Sequence, residues 1–263
     1  IDGVEKVSCS TLYAGDLEFG PNLLYAEIVE SSEAHALIKR IDTTAAEKVD
    51  GVVKVFTGKD FPYKFGLYMK DRYIFAQARV RFVGEQVAAV VARSARAAKK
   101  AAKLVKVEYE PLPRVFDQLE ALNQDSALVH PDLGNYAHVP WFFPQAGTNI
   151  AHWRKVRKGN VEQALQAADY VLEDTYRVPR YAHCAIETHC AVAHFDHSRR
   201  LTLWTSSQSP CTQRNLITEA LAPLGFTHKD VRVISPCVGG GFGGKAGVTM
   251  EIEGARLVFL VGC

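Results

Sequence analysis

The sequence has little net charge, no ordered cysteine pattern and no long apolar run, and each shortage removes a class of protein. Thirty-one Lys and Arg against 29 Asp and Glu leave a formal charge of +2. That is too small for the electrostatic footprint of a nucleic-acid binder or for attraction to a membrane surface, so small or buried ligands are the expected partners. The six cysteines (Cys9, Cys184, Cys190, Cys211, Cys237, Cys263) contain no C-x-x-C pair and no regular spacing. This argues against a disulfide framework and for a reduced, cytoplasmic setting. No run approaches the roughly 18 to 20 apolar residues of a membrane span, and the opening "IDGVEKVSCS" lacks the basic and apolar regions of a signal peptide. Neither an internal repeat nor a low-complexity tract is visible.

What is present suits a folded domain or two: 263 residues, 48% of them apolar, can bury a sizeable core. "LLYAEIVES" (23–31) and "VVKVFTG" (52–58) read as strands, separated by the short helix "TTAAEKVDG" with threonines to cap it and Gly51 to end it. "RFVGEQVAAVVA" (81–92) reads as a long apolar strand, and "SARAAKKAAKLVKVEYEPLP" as a helix running into another, stopped by Pro111 and Pro113. From about 112 to 158 the periodicity fades among prolines, glycines and the aromatic patch "WFF", which predicts a long connector pinned by aromatics. "GNVEQALQAADYVLEDTYRV" restarts as a capped helix and a strand. The strand-like "CAIETHCAVAHF" and "RLTLWTSS", the helix "TQRNLITEALAPLG" and the strand "DVRVISPCV" follow. This is an α+β pattern.

That last strand runs into "VGGGFGGKAG", where three ligand-binding patterns overlap. Gly239, Gly241 and Gly244 satisfy G-x-G-x-x-G, but a dinucleotide fold needs a helix, a second strand and an acidic residue about 20 positions on, and Glu251 and Glu253 come too early. Gly239 to Lys245 also match most of a P-loop, with Ala246 where a magnesium-binding Ser or Thr is required. The third reading is a nest: glycines let the backbone approach a ligand closely and turn several N–H groups toward one point. A plain structural turn seldom needs so many glycines.

These residues resemble the molybdenum-binding subunit of the xanthine dehydrogenase and aldehyde oxidase family, the molybdenum hydroxylases. The resemblance rests on "VGGGFGGK" (238–245), "HCAIETHCAVA" (183–193) and "LTLWTSSQSP" (201–210), in that order and spacing. The first half is similar to that family's amino-terminal α/β hammerhead domain through "LLYAEIVESSEAHALIKRIDTTAAEKVDGVVKVFTGKDF", "RFVGEQVAAVVA" and "VEYEPLP". The expected organisation is a hammerhead domain over 1–120, a linker over 121–145, and the first part of a molybdopterin-binding domain over 146–263.

The resemblance implies hydroxylation of an aldehyde or an N-heterocyclic carbon, with water as the oxygen source. The cofactor is molybdopterin, its cytosine dinucleotide form being one option, with electrons passing to iron-sulfur clusters and FAD on partner subunits. It implies that Gln208 reaches an oxygen ligand of the molybdenum, and that Gly240, Gly241, Phe242, Gly243 and Gly244 offer main-chain N–H groups to the same oxo centre and the pterin. Gln208 and Phe242 would then stand one layer outside the metal, a sensible role for neutral donors around metal-bound oxygen.

Two departures from the family pattern matter. Xanthine-specific members carry a glutamate after the loop lysine, where this chain has Ala246, and "VSCS" replaces the usual "VTG" at a place expected to be remote from the chemistry. The family's catalytic glutamate and metal-proximal arginine lie beyond Cys263, so no catalytic residue is expected in this chain. A partner polypeptide is expected to complete it, docking on the apolar helix "TMEIEGARLVFLVGC". The alternative is a non-catalytic remnant or accessory module of the same fold without cofactor.

Other candidates have plainer readings. A period of two puts His183, Glu187 and His189 on one strand face, spread over about 20 Å, which favours a hydrogen-bonded polar wall over a metal site. The basic run "RSARAAKKAAKLVK" reads as the solvated face of an amphipathic helix. Cys211 and Cys237 are expected to be small buried hydrophobes.

Overall fold

The computed structural model describes residues 3–247 and 250–261; Cys263, Gly262 and Thr249, parts of sequence runs singled out above, lie outside the described residues. Strands β1 (Tyr25–Glu30), β2 (Ala36–Asp42), β3 (Val52–Thr57), β4 (Lys64–Phe65), β5 (Arg72–Tyr73), β6 (Arg79–Val80), β7 (Gln86–Ala92) and β8 (Lys106–Pro111) make up the first half. With them stand helices α1 (Gly3–Val7), α2 (Thr44–Glu47) and α3 (Ala95–Ala102). They form antiparallel sheets of order β1-β7-β3 and β6-β2-β8 and the pair β4-β5.

Strand β7 explains its own position. "QVAAVVA" has apolar residues on both faces, so it must be central, and Val87 to Ala92 are all buried. Helix α3 lies over this sheet through Ala98 and Ala101, small enough for close approach, while its lysines face solvent. Ser94 starts it by accepting a hydrogen bond from the Ala97 N–H at 3.2 Å. β2 is a strand the sequence pattern does not announce. Its alternation in "ALIKRID" is broken where a bulge shifts the register between Ile38 and Arg40.

The connector is irregular, as its composition suggests, and aromatics tie it down. Tyr68 meets Trp141 and Phe142 at ring-centroid distances of 5.2 and 6.2 Å, and Phe142 stacks on His152 at 4.6 Å. Residues 153–184 are then exposed throughout, with one short helix, α4 (Val161–Gln166), capped by Asn160. Here the structure corrects the sequence reading. No strand forms over 169–178, and the strand expected from Cys184 begins only at Ala191. A strand needs a ladder to satisfy its backbone; residues 169–178 have none among the described residues, and the main-chain bonds of residues 184–190, from the Glu187 N–H to the Gly239 carbonyl at 3.2 Å and from the Ser206 N–H to the Cys190 carbonyl at 3.1 Å, are isolated and do not make one. Tyr170, Leu172, Tyr176, Val178 and Ile186 consequently stay in solvent.

The second half closes with β9 (Ala191–Phe195), β10 (Leu201–Thr205), helix α5 (Pro210–Leu221), β11 (Val231–Ile234) and helix α6 (Glu251–Val261). The sheet order is β11-β10-β9, with β10 and β11 parallel and β9 antiparallel. Gly225, at φ +84°, ends the α5 segment in the left-handed conformation that glycine adopts at least cost. Helix α6 was expected to present an apolar patch to a partner. It instead buries Ile252, Ala255 and Leu257 in the chain's own core, against β9, β10 and α5. That core is continuous with Phe56, Phe61, Phe65, Ile74 and Phe75 of the first half, so one apolar cluster joins both halves. Among the described residues no helix is long and apolar enough to cross a membrane.

Candidate cofactor site

Because β10 and β11 are parallel neighbours in register from Leu201/Val231 to Trp204/Ile234, the turns that follow them leave the sheet at the same end. Those turns are "SSQ" and the glycine loop. Ser235 clamps them together: its Oγ donates to the Ser207 carbonyl at 2.7 Å and accepts from the Ser207 N–H at 3.3 Å. The Gln208 carboxamide lies directly on the loop. Its Oε1 accepts from the N–H groups of Gly243 at 2.9 Å and Lys245 at 3.2 Å, and the Gln208 main-chain N–H donates to the Lys245 carbonyl at 3.0 Å.

The glycines are explained by what presses against them. A Cβ on Gly241 would sit 2.4 Å from Gln208 Cδ, one on Gly239 2.7 Å from Glu187 Cβ, and one on Gly244 2.9 Å from His183 Cγ. Each approach is closer than side chains tolerate, so three neighbours fill the space that side chains would otherwise take. Gly240, Phe242 and Gly243 adopt positive φ (+97°, +52° and +92°); the changes of hand on either side of Gly241 curl the backbone as in an N–H nest. For Phe242 this is an uncommon conformation. Its ring folds back toward Gly240 and remains 72% exposed.

Of the five loop residues expected to donate, two are spent internally: Gly243 on Gln208, and Gly244 on the Gly241 carbonyl at 2.8 Å. The N–H groups of Gly240, Gly241 and Phe242 have no acceptor among the described residues, and neither does the Gln208 Nε2. The donor array open to a ligand is therefore narrower than the sequence suggested.

Lys245 is almost fully buried, at 2% exposure, and its Nζ pairs with Glu187 Oε2 at 2.8 Å. A lysine so enclosed cannot reach a phosphate, which disposes of the P-loop reading. The same Oε2 accepts the Gly239 N–H at 2.7 Å. Sequence reasoning missed this pair, although a lysine closing an uncharged glycine run was a signal that a counter-charge had to be found elsewhere. It also missed the buried network in which Glu251 Oε1 accepts from Thr205 Oγ1 at 3.0 Å and Gln213 Nε2 at 2.9 Å; Gln213 also holds the Gly247 carbonyl at 2.9 Å.

His183, Glu187 and His189 do not line a flat strand, since the chain bends there and Cys184 sits at φ +48°. Two of them, His183 and Glu187, press on the glycine loop instead. Among the described residues no three His, Cys, Asp or Glu gather as metal ligands. Cys211 is exposed and Cys237 half-buried, so neither is the buried hydrophobe expected. The segment after "VSCS" is not remote either: Tyr13 bridges to Cys237, and its ring is 3.4 Å from a Cβ built on Gly239. The Cys190 thiol, behind the loop, has its pKa raised by burial and by the neighbouring Glu187 carboxylate.

The mixed sheet thus carries the glycine nest and the carboxamide together at one end. Comparisons with known proteins place the chain in a family. The family model for the aldehyde oxidase and xanthine dehydrogenase a/b hammerhead domain matches residues 8–113, and that for the molybdopterin cofactor-binding domain matches residues 142–259. The nicotinate dehydrogenase large molybdopterin subunit of Eubacterium barkeri is 32% identical over 261 residues, covering 98% of this chain and 57% of that protein. The carbon monoxide dehydrogenase large chain of Hydrogenophaga pseudoflava is 32% identical over 245 residues, covering 90% of this chain and 30% of its own. Among solved structures, a Cu,Mo-CO dehydrogenase superimposes with a TM-score of 0.82 at 28% identity, over 99% of this chain and 33% of the other. Quinoline 2-oxidoreductase from Pseudomonas putida 86 gives 0.81 at 28% identity, over 99% and 32%. The chain belongs to the aldehyde oxidase and xanthine dehydrogenase family of molybdopterin-binding hydroxylases. It spans 57% of the length of the first of these relatives and 30% of the second.

Proposed function

We propose that this chain forms one wall of a molybdopterin site in a hydroxylase that oxidises an aldehyde or an N-heterocyclic substrate. The observation that carries this reading is the set of N–H groups of Gly240, Gly241 and Phe242, without acceptors among the described residues, beside the Gln208 carboxamide. These donors are neutral and offer a bare cation no anionic ligand, but they suit oxygen atoms held by a metal or a pterin. The residues present therefore fit the group that the family implies.

When bound, that group supplies a two-electron oxidation with water as the source of oxygen. The chain's own residues do the holding. Gln208 and the Gly240–Phe242 amides would hold the group's oxygen atoms, and the bonds inside the loop keep those donors in place, so little reorganisation would be needed during turnover. Gln208 and Phe242 would serve as neutral donors to oxygen rather than as ligands of the metal. Ala246, where xanthine-specific members of the family carry glutamate, weighs against a purine substrate.

A further polypeptide segment completes the site. Phe242 is largely in solvent, and the strand-like run around Tyr170–Val178 exposes its apolar side chains, surface that calls for cover. In this reading iron-sulfur and flavin subunits take the electrons, the pterin is free or carries the cytosine dinucleotide, and the complex works in the cytoplasm. The test is to purify the chain together with the polypeptide that accompanies it, then measure molybdenum by mass spectrometry and released pterin by fluorescence. About one metal and one pterin per chain is the expected result; a folded, stoichiometric complex containing neither overturns the proposal.

A further inference from the structure

We propose that the Glu187–Lys245 ion pair is a positioning element that sets the glycine loop against Gln208. The inference rests on the cofactor reading only for what the loop is positioned to hold. One carboxylate oxygen, Glu187 Oε2, takes the Gly239 N–H at 2.7 Å and the Lys245 ammonium at 2.8 Å. Gly239 opens the glycine run and Lys245 closes it, so both ends of the loop are fastened to one atom. The Glu187 N–H returns a bond to the Gly239 carbonyl at 3.2 Å, fixing the strap to the loop through main chain as well.

Lys245 is also the residue whose N–H and carbonyl engage Gln208, at 3.2 and 3.0 Å. Moving its ammonium would therefore move the backbone on which the carboxamide rests. Glu187 Oε1 is buried with no partner among the described residues, so Lys245 is the counter-charge this carboxylate depends on. Buried pairs of this kind are costly to break from one side and much cheaper to replace from both. Pairing also leaves the loop without net charge, so recognition there is left to its N–H groups.

The experiment is amide hydrogen exchange and nitrogen-proton chemical shift at Gly239 and Gly243, read in the full chain by NMR. Lys245→Met and Glu187→Gln should each speed exchange at Gly243 by about tenfold or more and move its shift, by loosening the bond to Gln208. The double variant Glu187→Gln/Lys245→Met, which removes both charges and keeps an acceptor for Gly239, should return exchange to within about threefold of the parent. Ser94→Ala, which weakens a distant helix start, should leave the Gly243 shift in place. Should a single variant fail to fold, the double variant carries the test. Exchange unchanged in the singles, losses that simply add in the double, or an equal effect from Ser94→Ala would overturn the proposal. A parent complex without molybdenum would sink the cofactor reading and leave this result untouched.

Discussion

Strand β7 and a second run made up of residues 169–178 and 184–190 both read as strands in the sequence, and their fates differ. β7 lies between β1 and β3, and Val87 to Ala92 are at most 4% exposed. In the second run Leu172 and Ile186 are 98% and 99% exposed, and no ladder forms. Local propensity is met in both; what differs is the presence of neighbours to take the backbone hydrogen bonds and cover the side chains. β7 is covered within its own sheet, while the second run leaves its apolar side chains at the surface.

The strongest test of this contrast is in the shared core. Leu203→Ala removes a fully buried side chain and should cost about 3 kcal/mol in urea unfolding of the whole chain. Unfolding by CD and by fluorescence should coincide if one cluster joins both halves. Gly241→Ala comes next. Its Cβ must push Gln208 aside, for a loss of about 2 kcal/mol, read by thermal unfolding together with a displaced Gly243 amide shift. Ser94→Ala should cost about 1 kcal/mol, and faster amide exchange confined to α3 would locate it.

A separate effect belongs to pH. Burial, with Arg81, Arg79 and Lys64 nearby, lowers the His130 pKa from 6.5 to about 4. The unfolded chain therefore takes up that proton first as pH falls. The stability this histidine contributes is complete above about pH 6.5 and is lost on descending toward pH 4. Thermal midpoints across that window should fall less steeply in His130→Gln. Ile186→Ala, last, should change the stability of the isolated chain by less than about 0.5 kcal/mol. A loss as large as that of Leu203→Ala would erase the contrast between the two regions.

The contrast also marks how far the sequence could be read. Segments whose partners lie within this chain were legible. β7 follows from its unbroken apolar run, α3 from the helical spacing of its alanines, and the turn at Gly225 from its glycine. β2 escaped because its bulge breaks the alternation, and residues 169–178 and 184–190 misled because propensity says nothing about whether a continuous ladder is available. Gln208 and the glycine loop, each singled out by its motif, do lie against one another. Glu187 and Lys245, 58 positions apart, could be paired only by the fold, and so could the buried Thr205–Gln213–Glu251 network. The exposed Cys211 shows the converse: a helix start was recognised, but which of its faces meets solvent was not.

Strands β10 and β11 are joined by a single crossover through α5, and this has a kinetic consequence. Both walls of the cradle come from one contiguous strand–helix–strand unit, so closing one modest stretch of chain brings Gln208 and the glycines face to face. Glu187 then joins from outside that unit to fasten Gly239 and Lys245, so the loop takes its set from residues of this chain alone.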